Sequence, residues 1–161
     1  MDVRTLTPEA IGSALGRIPS GCSILTLSHG DQSTGVLLSW VQQAAFDPPA
    51  VSFCVKRGRP VESLLQTGGR FLLNIIGEEP AEMFRHFGRG FSLHENAFVG
   101  LQVTSSDFGP ILHACPAQLG CELRDHLTIG DHNLYVGLVL AGSFQTDFKP
   151  YVHLRRNGLS Y

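Results

Sequence analysis

At 161 residues, with 43% hydrophobic and 16% charged side chains, the chain has the length of one domain and enough apolar matter for a core and for a subunit interface. Its formal charge of -2 and pI near 6.4 exclude a general nucleic-acid or membrane-surface binder, because repeated phosphate contacts need a basic excess. Cys22, Cys54, Cys115 and Cys121 form no CxxC pair and follow no secretory signal, and no apolar run approaches the roughly 20 residues of a membrane helix, so the expectation is a soluble, cytoplasmic protein with reduced thiols.

Residues 5–16 read as a short helix, with Thr7 as cap, Pro8 at the first helical position, Glu9 at the positive end and Gly16 closing it. This sets Ile11, Ala14 and Leu15 on one face. Residues 22–28 follow as a strand, turned at His29, Gly30 and Asp31 into a partner over residues 34–38. The next stretch, residues 37–49, carries Ser39, Gln42, Gln43, small alanines and the only tryptophan, Trp40, and ends at Pro48 and Pro49. That composition suits a backbone-rich ledge beside a flat ligand, and the double proline blocks continuation of a ladder or helix.

Residues 50–55 form a short apolar run, the pattern of a strand covered on both faces. Lys56, Arg57, Gly58 and Arg59 come directly after it, ahead of Pro60 and a short helix through Leu65. Three cations and a glycine at a strand end can cradle one phosphate, or form a solvated basic turn. Residues 71–76 read as a strand with Asn74 as its polar exception, and residues 78–87 as an amphipathic helix that turns Met83 inward with Phe84 or Phe87. Arg89, flanked by Gly88 and Gly90, opens a loop that reaches a ligand or a second subunit, or is plain surface.

The second half is antiparallel in character. Residues 98–104 read as a strand, Gly109 and Pro110 as a turn, and the run from Ala117 to Arg124 alternates with the period of a half-exposed strand. Gly130 and Asp131 turn the chain into residues 134–141, apolar on both faces and therefore central, and a last strand falls near residues 151–154. Many short strands with few short helices predict a mainly β barrel of α+β type.

No G-x-G-x-x-G follows a strand, and no phosphate-binding G-x-x-x-x-G-K or nucleophile elbow occurs. His113, Cys115, Cys121 and His126 follow strand alternation and match no zinc signature, so no metal is expected. His132 is either the imidazole of a pocket, oriented by Asp131, or a surface residue of a hairpin turn.

Four stretches, in order and spacing, resemble the flavin reductase-like family of FMN-binding split barrels over residues 15–161: residues 18–21, residues 39–49, residues 71–74, and Gly130, Asp131 and His132 before a long apolar strand. Within that family, residues 17–21 and the pair Ala45 and Phe46 after Ser39, Trp40 and Val41 are most similar to the flavin reductase module at the C-terminus of cyanobacterial flavodiiron proteins. On this resemblance residues 1–14 are an N-terminal helix or linker and residues 15–161 the split-barrel domain.

The resemblance implies a homodimer with FMN at or near the subunit interface. It places Leu38, Ser39, Trp40, Val41, Gln42 and Gln43 along the flavin, Lys56, Arg57 and Arg59 at its phosphate, Arg89 near the cofactor, and His132 as the catalytic residue beside the ring or the nicotinamide. Leu37 and Trp40 stand where relatives carry a threonine and a serine, which removes two hydroxyls. The implied activity is that of an NAD(P)H:flavin oxidoreductase, with hydride passing from NADH or NADPH to FMN and electrons onward to oxygen or to a flavodiiron core in the same or another chain. The alternative is a non-catalytic FMN-binding electron-transfer module reduced by a protein donor.

Overall fold

The computed structural model describes residues 7–160, so the helix start expected at residues 5 and 6, the rest of the first six residues and Tyr161 lie outside the described residues. The elements in order are α1 (Pro8–Leu15), β1 (Ser20–Gly21), β2 (Ser23–His29), β3 (Gln32–Leu38), β4 (Val41–Phe46), β5 (Pro49–Lys56), α2 (Val61–Gly68), β6 (Arg70–Ile75), α3 (Ala81–Phe87), β7 (Val103–Thr104), β8 (Ile111–Leu112), β9 (Ala117–Ile129), β10 (His132–Phe144) and β11 (Val152–His153).

Tight turns set the hairpins. Gly30 at φ 57 joins β2 to β3 and Gly130 at φ 58 joins β9 to β10, each with an aspartate after it, in the left-handed conformation that a two-residue hairpin loop demands. The main sheet runs β3-β2-β6-β9-β10-β5-β4, antiparallel throughout, with β10 between β9 and β5 as its doubly apolar sequence predicts. Irregular register between β9 and β10 at Val136/Gly137 and Val139/Ala141 bends these long strands. The small pair β1 with β11 sets His153 opposite Ser20.

The inner face of the sheet packs Leu25, Leu27, Phe53, Phe71, Leu73 and Tyr135 into one core, in which the Phe53 and Tyr135 rings stack at 5.4 Å. A second cluster lies under α3, where Met83 and Phe87 meet Cys22, Ile24, Ile76 and Leu112. Glycine at position 35 permits this docking, since a Cβ there would lie 2.7 Å from the Phe87 ring. Helix α3 therefore turns Met83 and Phe87 fully inward and leaves Phe84 half-buried.

Four expectations are corrected. Pro49 begins β5 instead of ending all pairing: it faces Phe46 in a two-strand edge where a missing amide hydrogen is tolerated. The expected strand over residues 98–104 shrinks to Val103–Thr104, because Asn96 Oδ1 accepts from the Phe98 amide and Phe98 O from the Leu101 amide, which turns the backbone. Helix α3 starts at Ala81, after Pro80, and not at residue 78. In α1, capped by Thr7 as expected, Gly12 is the buried residue, and it meets Asn157 and Leu159, whereas Ile11 and Leu15 are exposed.

Asn74 is the polar pin of this architecture. Fully buried on β6, its Nδ2 donates to Thr26 Oγ1 at 3.0 Å and to Ile24 O at 3.3 Å, and its Oδ1 accepts from the Leu112 amide at 2.9 Å. Asn74→Leu strands the Leu112 amide in an apolar setting and is expected to cost about 2–4 kcal/mol. Urea denaturation measures it, and a midpoint matching wild type would remove Asn74 from this role.

Candidate functional site

An open cleft of about 380 Å³ lies between the ends of β3 and β5 and the helix α3, and polar groups converge on it. Its floor is apolar, formed by Cys22, Leu37, Leu38, Cys54, Phe84 and Phe87. Polar groups gather at its rim: Ser39, Lys56, Arg59, His132 and His153. Helix α3 packs Phe84 against Tyr151 and His153, and the loop after it carries Gly88 and Gly90, the latter beside Arg59. The cleft thus has a cationic end, at Lys56 and Arg59, and an imidazole end, at His153.

The cationic end is built by the turn after β5. Glu62, in the first turn of α2, accepts from the Gly58 amide at 2.8 Å, from Asn133 Nδ2 at 2.6 Å and from Tyr135 Oη at 2.8 Å. One carboxylate therefore ties the basic turn to β10. Burial and the adjoining Glu62 push the Tyr135 phenol well above its ordinary range, so it stays protonated and donating. Gly90 has φ 74, and a Cβ there would come to 3.0 Å from Arg59 Nη1, so the glycine leaves a cradle that the guanidinium fills.

His132 leaves the β9–β10 turn with its side chain 12% exposed. Its Nδ1 donates to Asp131 Oδ1 at 2.8 Å, which leaves Nε2 as the acceptor nitrogen of the neutral ring. That hydrogen bond is the main cause that holds the Asp131 carboxyl below the usual range. The Trp40 indole lies 4.7 Å from the His132 ring, and the Arg155 guanidinium sits 5.0 Å above the indole. Guanidinium, indole and imidazole form one contiguous cluster.

His153 differs from the other imidazoles of the region. His86 Nε2 donates to Ala97 O at 2.8 Å and His113 pairs with Thr104 Oγ1 at 2.7 Å, but His153 Nδ1 is a buried atom with no hydrogen-bond partner among the described residues. Such an orphan costs about 1–3 kcal/mol. Burial, then the Arg155 charge, lowers the pKa of His153 below that of an ordinary histidine.

Of the residues expected from sequence, the cleft brings together Leu38, Ser39, Lys56, Arg59 and His132, with Trp40 in tilted ring contact with the last. Val41 and Gln42 line an adjoining hollow with Trp40, Cys54 and Arg155. Gln43, on the exposed edge strand β4, bonds Ala45 O. Arg57 points the other way from its neighbours, donating to Gly130 O at 3.4 Å. Arg89 is held outside the cleft lining by Glu95 at 3.0 Å and by the Phe91 ring at 4.0 Å. Cys22, Cys54, Phe84 and His153 escaped the sequence reading; they come from four separate segments and share no spacing.

Nucleophilic thiol chemistry has no support here. Burial pushes Cys22 up to about 11, Cys115 and Cys121 up to about 12, and Cys54 upward as well, so all four are thiols at neutral pH. No group of three or more metal-ligating side chains occurs among the described residues, and none of the described helices is long and apolar enough to cross a membrane.

A family profile described as the flavin reductase like domain matches residues 15–158. Diflavin flavoprotein A 1 of Synechocystis sp. is 35% identical over 151 residues, spanning 92% of this chain and 26% of that protein. The chain spans about a quarter of the length of the curated relatives it matches. Among solved structures, the NADH:FAD oxidoreductase SgcE6 of Streptomyces globisporus C-1027 superposes with TM-score 0.82 at 18% identity, covering 88% of this chain and 85% of that one. The nitrilotriacetate monooxygenase component B homolog from Mycobacterium thermoresistibile does so with TM-score 0.78 at 28% identity, covering 89% and 80%.

The raised thiol pKa values carry a sign. The unfolded chain loses thiol protons above the ordinary value of 9.0 while the folded chain keeps them, so stability is full below pH 9 and falls as pH rises beyond it. Chemical denaturation across this range checks it: the slope should shrink in Cys115→Ala/Cys121→Ala, and an unchanged slope would sink the assignment.

Proposed function

Because the chain belongs to the flavin reductase-like domain family, we propose that its cleft holds FMN and that the protein is an NAD(P)H:flavin oxidoreductase. The observation that carries this reading is the polarity of the cleft, with Lys56 and Arg59 at one end and an apolar, aromatic-flanked floor along Leu37, Leu38 and Ser39. Two cations around a glycine cradle suit one phosphate, and the floor suits a planar ring. No adenine-binding fingerprint accompanies them, which favours FMN over FAD.

A bound flavin supplies the redox chemistry, accepting hydride from NADH or NADPH and releasing electrons to an acceptor. The chain's own residues bind, orient and shield. Lys56 and Arg59 anchor the phosphate, on a turn that Glu62 holds still. Leu37, Leu38 and Ser39 form the ring wall, beside Trp40, whose carbonyl is occupied by the Cys54 amide at 3.0 Å. His132 presents Nε2 as an acceptor to the ring edge or to the nicotinamide amide, with Asp131 fixing its tautomer; its role is orientation of the two rings rather than proton transfer.

Exposed Phe46, Phe144, Leu127 and Ile129 support a homodimer. The share of the diflavin flavoproteins that this chain spans supports delivery of electrons to a flavodiiron core, in the same or another chain, or to oxygen.

Anaerobic titration of the FMN-supplemented protein with NADH and then NADPH tests the reading, with free FMN as control. Fast protein-dependent bleaching of the visible band is expected. Binding without bleaching by either donor would replace the reductase with a module fed by a protein donor, and failure to bind FMN would remove the cofactor assignment. His132→Ala should slow bleaching or weaken nicotinamide binding by about tenfold; unchanged values for both would return His132 to the turn. Lys56→Ala/Arg59→Ala should weaken FMN by about tenfold or more while barely affecting riboflavin, and equal losses would undo the phosphate placement.

A further inference from the structure

The basic turn after β5 and the β9–β10 turn that carries His132 come from distant parts of the chain, yet hydrogen bonds join them into one unit. Lys56 and His132 face each other in the ladder between β5 and β10. Beyond that pair the Arg57 amide donates to Asp131 O at 2.9 Å, and Arg57 Nη1 donates to Gly130 O at 3.4 Å. Glu62 closes the unit from the helix side. Its Oε2 accepts from the Gly58 amide at 2.8 Å, and its Oε1 accepts from Asn133 Nδ2 at 2.6 Å and from Tyr135 Oη at 2.8 Å. Asn133 is engaged on its other side as well, where its Oδ1 accepts from Thr128 Oγ1 at 2.8 Å.

These contacts run from the phosphate anchors to the imidazole without a gap. Gly58 sits between Arg57 and Arg59, and Asn133 follows His132 directly. Asp131, whose carbonyl takes the Arg57 amide, accepts from His132 Nδ1 at 2.8 Å through its carboxylate. A displacement of Lys56 or Arg59 therefore reaches His132 through both of its chain neighbours. Neither Glu62 nor Arg57 lines the cleft, so neither has to touch a ligand to transmit it. Arg57, which the sequence placed at the phosphate, has its guanidinium on the histidine turn instead and serves the link.

We infer that Glu62, supported by Arg57, is a positioning residue that couples occupation of the phosphate end of the cleft to the orientation of His132. The inference rests on the flavin reductase reading and gives the phosphate a use beyond retention of the cofactor. Contacts with a non-reacting part of a ligand raise the rate of a reaction when they organise the groups at its reacting end. A carboxylate suits the link because each of its oxygens accepts, so that Glu62 serves the turn and β10 at once. A glutamine in its place has one carbonyl oxygen and can hold only one side.

The test is the rate of anaerobic flavin bleaching at saturating flavin and saturating reduced nicotinamide donor, with FMN and riboflavin compared in the unmodified chain, Glu62→Gln, His132→Ala and the double variant. Free flavin and matched melting curves are the controls. Bound FMN should bleach about tenfold faster than bound riboflavin in the unmodified chain, because only FMN fills the phosphate end. The ratio should fall to about twofold or less in Glu62→Gln and in His132→Ala alike, and the double variant should be no slower than His132→Ala. A residue that only stabilised the fold would slow both flavins in proportion and leave the ratio where it was. Arg57→Ala, at an exposed position, is read in the same way if Glu62→Gln fails to fold, and its ratio should drop by about threefold or more. Equal rates for the two flavins in the unmodified chain, an undiminished ratio in the variant that folds, or additive losses in the double variant would each overturn the coupling and leave the reductase intact. If the unmodified chain bleaches neither flavin, the functional reading falls first and the coupling falls with it.

Discussion

The site depends on one half-buried carboxylate. Glu62 accepts from a backbone amide in the basic turn, from an asparagine amide and from a tyrosine hydroxyl, the last two on β10. A carboxylate removed from water is costly unless its lone pairs are engaged, and here three donors engage them. The consequence is positional. The turn from Lys56 to Pro60 would otherwise be an exposed, glycine-containing loop of like charges, free to spread apart. Tied to β10, it keeps Lys56 and Arg59 at one rim of the cleft, while Arg57 is turned away onto Gly130 O.

The opposite wall shows how a bulky side chain is accommodated without losing the backbone that matters. Trp40 is the largest side chain of this stretch, yet its carbonyl accepts from the Cys54 amide and keeps the link between β3 and β4 in register with β5. Its indole contacts both the His132 ring and the Arg155 guanidinium. Contacts at these distances gain dispersion and cation–π attraction. The C-terminal segment that supplies Arg155 is itself held by the glycine face of α1, where Gly12 and Gly16 approach residues 155–159 too closely for any side chain. Helix α1 therefore contributes to the wall of the site by fixing the segment that covers Trp40.

Features controlled by local chemistry were legible in the sequence. Gly30 and Gly130 announced two hairpins because a left-handed turn residue has few alternatives, the two-faced apolar run of β10 announced a central strand, and Thr7 with Pro8 announced a helix start. Asn74 stood out as a polar residue in an apolar strand and proved to be the buried pin. Residues 98–104 misled because Phe98, Val99, Leu101 and Val103 have strand composition, while the Asn96 side chain caps a turn that hydrophobicity does not report. The cleft was only half legible. Ser39, Lys56, Arg59 and His132 lie next to strand ends, where a reader of sequence looks for function, but Cys22, Phe84 and His153 reach it only through tertiary pairing. Which of the three cations would turn outward was a matter of the carbonyl at Gly130 in the β9–β10 turn, distant in sequence.

The polarity of the cleft narrows what it can hold more than its size does. Cations confined to one end can neutralise a single phosphate and offer nothing to a second or third, which disfavours di- and triphosphates. The other end is apolar with neutral polar atoms at its edge, a poor home for a second anion and a good one for a flat heterocycle with amide-like groups along one side. Between them, His132, against which the Trp40 indole packs, stands on one flank, and α3 with Phe84 and Phe87 on the other. A ligand that satisfies both ends has one phosphate joined by a short flexible arm to a planar ring system. Monophosphorylated flavin has that distribution of charge and shape, and the donors and apolar surface that would receive it are held in place by groups outside the cleft: Glu62 beneath the cations, Arg155 over the indole and Gly35 under Phe87.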